Sequence, residues 1–319
     1  MKILFFGLGS IGKRHASIIK KYHGHELFAF RTNKGQEIND LKIAEVHNYD
    51  DAFKIKPDVA FITNPTFMHI DTALKCTDKG IDMFIEKPLS NSFEGIDKLK
   101  QKIKEKNIFV YIGHCMRFHP VIQYLKENVN IDDVIYTKTT STSFLPNWRP
   151  KQDYSKSFCV DSNRGGGVLL ELIHEIDYNS WLFGEIDNIK GKYGAVSNLK
   201  SDCEDFAELS VSFKNNIFGD IHLNWFSHNS ERVIKIYCND KYIEGDLLKN
   251  EVLIKKDGED IKKIKFDVER NDIYKAQLDY FFDSLKKNIT PMNNLFEASD
   301  SLKKILDFKK TVDFLKIKR

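Results

Sequence analysis

The sequence contains no long apolar run. No stretch of its 319 residues reaches the about 18 apolar residues that a bilayer-spanning helix needs. The apolar start "KILFFGLG" is too short for the core of a signal peptide and is broken by glycines. We therefore expect neither a membrane partner nor a secreted protein.

The sequence also lacks an excess of charge of one sign. Its 49 basic and 46 acidic residues give a net charge of +3. Proteins that bind nucleic acid or anionic membranes usually carry a concentrated positive charge. The near balance predicts that nucleic acid is not a partner.

Paired cysteines are missing as well. The chain has five cysteines, an odd number, and none forms a C-x-x-C pair. They are Cys76, Cys115, Cys159, Cys203 and Cys238. This pattern predicts buried thiols in a reducing cytoplasm, and it favours neither a disulfide framework nor a bound metal.

What is present is the composition and length of a two-domain globular protein. Up to residue 119, short apolar segments such as "KILFFG" and "DVAFITN" alternate with helical patterns such as "SIGKRHASIIKKY". That alternation predicts an α/β domain with a parallel sheet covered on both faces, the type of sheet on which Rossmann-type dinucleotide-binding domains are built.

From Pro120 onward the pattern changes to period-two alternation, as in "VIYTKTTSTSF" and "DFAELSVSF". We expect an α+β domain with an open, mostly antiparallel sheet over residues 120–319. One glycine-led helix, "GGGVLLELIHEIDYNSWLFG", interrupts the strands, and two helices end the chain. The last helix, through "KTVDFLK", is expected to pack back on the first domain.

The stretch "GLGSIG" fits a dinucleotide-binding loop because it follows a strand and opens a helix. Gly7 allows the tight turn, Gly9 lets the backbone approach a pyrophosphate, and Gly12 lets helix and strand pack closely. Ser10 and Ile11 lie between these glycines, at the helix N-terminus that faces the anion. The alternative is an ordinary strand-to-helix turn.

No acid stands about twenty residues further on, where one usually binds the ribose hydroxyls. Arg31 is there instead, followed by Thr32, Asn33 and Lys34. A cation and a hydroxyl suit a 2′-phosphate, which favours NADP over NAD. An exposed arginine stacked on adenine would be compatible with NAD.

The stretch "EKPLS" places Glu86, Lys87 and Pro88 at the end of a later strand. Ligands of such sheets bind beyond the carboxyl ends of the strands, so Lys87 is expected in the cleft where nicotinamide and substrate meet. Pro88 restricts the backbone of Lys87. In isolation, a surface lysine would be the simpler interpretation.

"GGGVLLELIHEID" offers a proton-transfer partner. Glu171 and His174 are three residues apart and are expected to share a helix face. Three glycines indicate either backbone close to a ligand or a tight start to the helix. A lysine and an imidazole oriented by a carboxylate can relay the proton of an alcohol that becomes a carbonyl. The alternative is a core histidine.

Five stretches together resemble the Gfo/Idh/MocA family, the glucose-fructose oxidoreductase and inositol dehydrogenase group. They are "GLGSIGKRH", "ITNPTFMH", "EKPLS", "GHCMRFHP" and "GGGVLLELIHEIDYNSWLFG". The resemblance implies hydride transfer between nicotinamide and a carbon of a sugar or polyol. It also implies a homodimer or homotetramer assembled through the open sheet.

The resemblance implies roles for individual residues. Lys87 would be the catalytic lysine and His174 the general acid/base. Glu171 would replace the family's usual Asp, which stands four residues before the histidine rather than three, so Asp177 is an alternative orienting carboxylate. The "TNP" loop and the E-K-P turn would border the cofactor through Asn64, Pro65, His69, Glu86 and Lys87.

A second group of residues is expected to contact substrate. The irregular stretch "SFLPNWRPKQDYSKSF" contains Trp148, Arg149 and Tyr154, whose side chains can cover a polar ligand. A packing loop or an oligomer arm is the equal alternative. Arg117 matches a family arginine near the site, with an interdomain salt bridge as its alternative.

The predicted function is an NAD(P)-dependent sugar dehydrogenase, in a branch that resembles enzymes of bacterial surface-carbohydrate and sialic-acid-like pathways. Two other hypotheses stay open. One is a reductase of a non-sugar substrate, such as a cyclic imine or tetrapyrrole, which would not need both Lys87 and His174. The other is a non-catalytic, dinucleotide-binding regulator.

Overall fold

The computed structural model describes residues 1–32 and 39–317, and the chain divides into two compact units. Unit 1 contains Met1–His114 and Tyr274–Ser299. Unit 2 contains Cys115–Ile273 and the chain from Asp300 onward. Unit 2 thus begins five residues before the predicted boundary at 120, and a C-terminal segment, 274–299, returns to unit 1.

The elements follow in chain order. The strands are Lys2–Phe6 (β1), Glu26–Phe30 (β2), Ala44–Val46 (β3), Val59–Ile62 (β4), Asp82–Ile85 (β5), Val110–Ile112 (β6), Val134–Phe144 (β7), Ile186–Ala195 (β8), Phe206–Phe213 (β9), Phe218–Asn224 (β10), Phe226–Cys238 (β11), Lys241–Asp246 (β12), Glu251–Lys256 (β13), Lys262–Lys265 (β14) and Phe314–Lys316 (β15). The α-helices are Ser10–Tyr22 (α1), Tyr49–Lys54 (α2), His69–Asp78 (α3), Ile96–Lys106 (α4), Pro120–Asn128 (α5), Val168–Glu171 (α6), His174–Phe183 (α7), Arg270–Lys287 (α8) and Leu295–Thr311 (α9).

Unit 1 is built on a parallel sheet whose described strands lie in the order β3-β2-β1-β4-β5-β6. Every residue of β4 is buried, as is all of β1 after Lys2. Strands buried on both faces need continuous apolar runs rather than alternation, which is what "VAFI" and "ILFF" provide. The predicted Rossmann-type sheet is confirmed.

A cluster of aromatic side chains lies in the core of unit 1. The rings of Phe61 and Phe84 stack with centroids 4.7 Å apart, on neighbouring strands of the sheet. Phe281 of α8 meets each of these rings edge-on at 5.4 Å. These contacts explain why α8 belongs mostly to unit 1.

Unit 2 is built on a larger sheet, with its described strands in the order β14-β13-β12-β11-β7-β10-β9-β8-β15. The pairs β7–β10 and β8–β15 are parallel, and the other neighbours are antiparallel. Inward-facing residues of β7, including Thr137, Thr139 and Ser141, are buried. The predicted open, mostly antiparallel sheet is confirmed.

Two helical expectations need correction. The predicted continuous helix after "GGG" is broken, because α6 ends at Glu171 and α7 begins at His174. The predicted last helix stops at Thr311, and the residues that follow form β15 instead. Within the described ranges, no helix has the length and apolarity to cross a membrane.

Candidate functional site

The glycine loop of unit 1 has the geometry that the motif requires. Gly7 has φ +100, which allows the turn between β1 and α1, and donates its N–H to Phe30 O at the end of β2 at 3.1 Å. A Cβ on Gly12 would lie 2.5 Å from Gly7 O, so only glycine fits there. Nothing lies within 4 Å of a Cβ built on Gly9. The N-cap of α1 therefore borders open space, which fits an approaching pyrophosphate.

An acid does lie beside Arg31, although none stands at the end of β2. Glu45 of the neighbouring strand β3 accepts a hydrogen bond from Arg31 Nη1 at 2.8 Å. Both side chains are largely buried, at 17% and 23% exposure, while Thr32 is exposed. The predicted phosphate partner is therefore already paired with a carboxylate. Asn33 and Lys34 lie outside the described residues.

The loop after β4 is held by a buried histidine. The two ring nitrogens of His69 lie 2.9 Å from Asn64 O and 3.0 Å from Pro88 O. Burial lowers the pKa of His69, and the two carbonyl contacts oppose that effect. His69 is 1% exposed, so it joins the loop of Asn64 and Pro65 to the E-K-P turn from inside.

Asn64 itself is only half-buried. Its Nδ2 donates to Thr72 Oγ1 at 2.9 Å, whereas its Oδ1 has no hydrogen-bond partner in the described part of the chain. An acceptor left over in a loop at the carboxyl ends of parallel strands fits a ligand that donates.

The E-K-P turn rests on a buried carboxylate. Glu86 Oε1 lies 2.6 Å from His15 Nε2, and Glu86 Oε2 accepts from Lys87 N at 3.0 Å. A Cβ on Gly113 would be 3.1 Å from the Glu86 carboxyl carbon, so glycine leaves the carboxylate its space. Glu86 is 6% exposed and Lys87 is half-buried. Glu86 thus supports the turn, and Lys87 follows the strand end as the sequence predicts.

In unit 2, His174 is the first residue of α7 and is 8% exposed. Its Nε2 lies 4.0 Å from Cys115 Sγ. Glu171 is half-buried and ends the separate helix α6, so the expected shared helix face with His174 is absent. Asp177, by contrast, lies on the same helix as His174, three residues later.

Arg117 and Asp177 form a buried bidentate pair within unit 2. Arg117 Nε and Nη2 donate to the two oxygens of Asp177 at 3.0 and 2.7 Å. The side chains are 3% and 0% exposed. The salt bridge that was the alternative for Arg117 is therefore present, but it lies inside one unit rather than between domains.

A second arginine, Arg232, was not predicted from the sequence. Arg232 Nε on β11 donates to Glu175 Oε1 at 2.7 Å. Glu175 is the residue that follows His174 in the chain. A lone arginine in an alternating strand, 57 residues from its partner, gives no local signal. Only the contact between helix α7 and strand β11 brings the two side chains together.

The glycines before α6 serve packing. A Cβ on Gly166 would lie 2.5 Å from Cys159 O, and a Cβ on Gly167 would overlap the carboxylate of Glu204. Glu204 is 2% exposed and accepts from Lys309 Nζ at 3.0 Å. Of the two interpretations of "GGG", the structure supports a tight start to the helix.

The loop after β7 uses its aromatic residues internally. Trp148 Nε1 donates to Ser143 Oγ at 2.9 Å, and its ring meets Trp225 edge-on at 5.8 Å. Tyr154 OH accepts from Lys200 N at 3.1 Å. Arg149 is exposed. These contacts fit the packing alternative for Trp148 and Tyr154.

The residues present fit a dinucleotide better than a metal. Within the described ranges, no group of three His, Cys, Asp or Glu side chains is arranged to hold a metal ion. The open N-terminus of α1 and the leftover acceptor of Asn64 suit a nucleotide with its hydroxyl groups.

The models of two domain families match the chain. "Oxidoreductase family, NAD-binding Rossmann fold" matches residues 1–114, and "GFO/IDH/MocA C-terminal domain" matches residues 133–244. Unit 1 therefore carries the dinucleotide-binding domain of an oxidoreductase. The chain belongs to the Gfo/Idh/MocA family, as the sequence motifs predict.

The chain is similar to several known proteins in sequence or in structure. A 2,7-anhydro-N-acetylneuraminate hydratase of Mediterraneibacter gnavus is 24% identical over 259 residues, 79% of this chain and 69% of that protein. The structure of UDP-N-acetylglucosamine 3-dehydrogenase from Acidithiobacillus ferrooxidans matches with a TM-score of 0.81 at 20% identity, covering 98% of this chain and 97% of that one. A levoglucosan dehydrogenase in complex with NADH matches with a TM-score of 0.84 at 15% identity, covering 99% and 100%.

Proposed function

We propose that the protein transfers a hydride between nicotinamide and a hydroxyl or keto carbon of a sugar, polyol or sugar derivative. The observation that carries this proposal is the E-K-P turn, where buried Glu86 supports Lys87 at the carboxyl end of β5. Ligands of parallel sheets bind beyond that edge. The bound dinucleotide supplies the hydride acceptor or donor.

The chain's own residues move the proton. As an alcohol becomes a carbonyl, its hydroxyl proton must leave, and Lys87 and His174 are the groups that we assign to this transfer. His174 would act from the N-terminus of α7. We favour Asp177 over Glu171 as the orienting carboxylate, because α7 contains both His174 and Asp177 while Glu171 lies on α6.

The names of the relatives support an amino-sugar or related substrate. Two of them are a 2,7-anhydro-N-acetylneuraminate hydratase and a UDP-N-acetylglucosamine 3-dehydrogenase. We therefore keep surface-carbohydrate biosynthesis as the proposed setting. For the cofactor we propose NADP over NAD, with Arg31 released from Glu45 to bind the 2′-phosphate.

The test is hydride transfer, measured by nicotinamide absorbance across sugars, polyols and their keto forms with each cofactor. Turnover that disappears in Lys87→Ala and His174→Asn, with the dinucleotide Kd unchanged, supports the proposal. Turnover only of a cyclic imine or tetrapyrrole would favour the non-sugar reductase. Cofactor binding without any turnover would favour the regulator.

We also propose that the outer face of the unit 2 sheet joins copies of the chain. Strand pairing places Tyr136 beside Tyr237 on one side and Phe218 on the other. Phe218 is 58% exposed and Tyr237 is 40% exposed, which leaves an apolar strip uncovered. Sedimentation velocity tests this: the wild type should be a dimer or tetramer, and Phe218→Glu should dissociate it. A monomeric wild type would refute the proposal.

A further inference from the structure

Two arginines contact carboxylates of the first turn of α7, and they do so differently. Arg117 pairs with Asp177 through two nitrogens and is almost completely buried, at 3% exposure. Arg232 reaches Glu175 through Nε alone, and its side chain is 22% exposed. The Arg117 guanidinium binds both carboxylate oxygens of its partner. The Arg232 guanidinium binds one carboxylate oxygen, and its Nη2 has no hydrogen-bond partner in the described chain.

The unused donors of Arg232 are costly to leave unpaired. A guanidinium has five N–H groups, and in the described chain the hydrogen bond to Glu175 is the only one that its side chain makes. Its Nη2 is buried without a partner, as is Glu175 Oε2. A buried charged donor without an acceptor costs free energy, and an incoming anion would recover the part of this cost that belongs to Arg232 Nη2.

The guanidinium keeps its charge at any physiological pH. Burial is the largest single effect and lowers the pKa of Arg232, but the charge and the hydrogen bond of Glu175, together with Tyr178 and Cys115, outweigh it, so the pKa is raised. The positive charge of Arg232 also lowers the pKa of His119, where burial is the larger cause. Unit 2 therefore contains a permanent cation whose hydrogen-bonding capacity is only partly used.

Arg232 also lies close to the proposed catalytic histidine. Its carboxylate partner Glu175 is the residue next to His174. Cys115, whose Sγ is 4.0 Å from His174 Nε2, is close enough to Arg232 for the two side chains to interact electrostatically. The N-terminus of α7, a helix of ten residues, adds the positive end of its dipole at the same place. An anionic group bound to Arg232 would thus place the rest of a small molecule near His174.

We propose that Arg232 binds a carboxylate of the substrate, which makes the substrate class an acidic sugar such as a uronate. This inference rests on the proposed function and narrows its substrate. One guanidinium that already shares its charge with Glu175 matches a singly charged carboxylate better than a doubly charged phosphate. The fork of Nη groups suits the two oxygens of a carboxylate.

The test uses matched probes that differ at one carbon: D-glucuronate, D-glucose and D-glucose 6-phosphate, with D-galacturonate and D-galactose as a second set. Their Kd values are measured by calorimetry on the full-length protein, with and without NADP. We expect each uronate to bind about 10-fold more tightly than its neutral sugar, on the scale of one charge-assisted hydrogen-bonded pair. A preference for the phosphate would show that the anion is a phosphoryl group and would overturn the assignment to carboxylate.

Variants then assign the preference to Arg232. Arg232→Gln should remove the 10-fold difference, and the exposed Arg270→Gln is the matched control that should keep it. Because Arg232→Gln leaves Glu175 as an uncompensated buried charge, the double variant Glu175→Gln/Arg232→Gln provides a folded alternative. Equal affinity of acids and neutral sugars, or equal losses in Arg232→Gln and Arg270→Gln, would overturn the proposal.

Hydride transfer is measured separately from binding, so that a failure of the proposed function can be distinguished from a failure of the carboxylate site. If neutral sugars are oxidised as well as uronates, the proposed function stands and the role of Arg232 is refuted. If uronates bind through Arg232 but no hydride is transferred to any compound, the proposed function fails while the carboxylate site stands.

Discussion

His15 and Glu86 connect the glycine-loop helix to the E-K-P turn. The imidazole Nε2 and the carboxylate Oε1 lie 2.6 Å apart, with side chains 0% and 7% exposed. His15 belongs to α1, whose N-terminus borders the proposed pyrophosphate site, and Glu86 precedes Lys87. The cofactor helix and the proposed catalytic lysine are therefore joined by one buried contact.

This contact should contribute measurably to stability. Glu86→Gln keeps the size of the side chain but removes the charge, so we expect the free energy of unfolding to fall by about 1–3 kcal/mol. His15→Asn should cost a similar amount, and the double variant should cost less than the sum, as for any directly coupled pair. Urea unfolding of all four proteins measures this. Strict additivity would show that the pair is not coupled.

Cofactor preference should depend on both members of the Arg31–Glu45 pair. Glu45→Gln removes the carboxylate that holds Arg31 and would repel a 2′-phosphate, so NADP should bind several-fold more tightly and NAD less tightly. Arg31→Asp should shift preference toward NAD by removing the cation. Fluorescence titration gives the Kd values. Equal shifts for both cofactors would indicate a merely structural pair.

Lys87→Ala should reduce turnover by roughly 100-fold or more, the scale of a lost acid–base contribution, and leave the dinucleotide Kd within a few-fold. The exposed Lys54→Ala is a control for the loss of a lysine in the same unit. Near-normal turnover in Lys87→Ala would remove this residue from the mechanism.

His174→Asn should flatten the acid limb of the pH–rate profile for oxidation, because an imidazole must be neutral to accept the alcohol proton and asparagine cannot carry one. Asp177→Asn and Glu171→Gln then compare the two candidate orienting carboxylates. Asp177→Asn also weakens the ion pair with Arg117, so its thermal stability must be measured in parallel. A larger catalytic loss in Glu171→Gln would reverse our preference, and an unchanged profile in His174→Asn would exclude the histidine.

His119 predicts a loss of stability in mild acid. Its Nδ1 accepts from Val121 N at the start of α5, and its Nε2 donates to Leu247 O, so the native ring is neutral. Burial and, to a lesser extent, Arg232 lower the pKa of His119 to about 4. The unfolded chain, with an ordinary pKa of about 6.5, therefore binds the proton first as pH falls.

Neutral His119 therefore contributes up to about 3 kcal/mol to the free energy of unfolding. This contribution is complete above about pH 6.5 and is lost as the pH falls toward 4. His119→Asn keeps an N-cap acceptor but cannot titrate. Urea unfolding between pH 7 and pH 5 should show a smaller loss for His119→Asn than for the wild type. Parallel curves for the two proteins would contradict the shifted pKa.

Gly167 of the "GGG" stretch should not tolerate a side chain. It has φ +113, and a Cβ there would overlap the Glu204 carboxylate. Gly167→Ala is expected to cost about 2 kcal/mol or more, from backbone strain and displacement of a buried charge. Gly24→Ala, at φ +63 in open space, measures the conformational cost alone and should be milder. Equal melting temperatures of the two variants would show that the overlap relaxes at no cost.

The sequence predicted the parallel sheet and the glycine loop because both depend on local patterns. The apolar periodicity of a strand or helix can be recognised in consecutive residues. Gly7 and Gly12 lie within one short loop and the start of the helix that follows it. The Arg31–Glu45 and Arg232–Glu175 pairs could not be predicted, since strand pairing and helix packing bring their members together. The break between Glu171 and His174 was missed because the apolar pattern continues across it.

The edges of the unit 2 sheet bear on how the protein resists aggregation. An unpaired strand edge is a template for stacking with other chains. At one edge, β14 reads "KKIK", so charge repels a neighbour. At the other, the three-residue β15 covers the ten-residue β8 and is itself too short to act as a template. Proteolytic clipping before Phe314 would expose β8 and turn a protected sheet into one that can grow by strand addition.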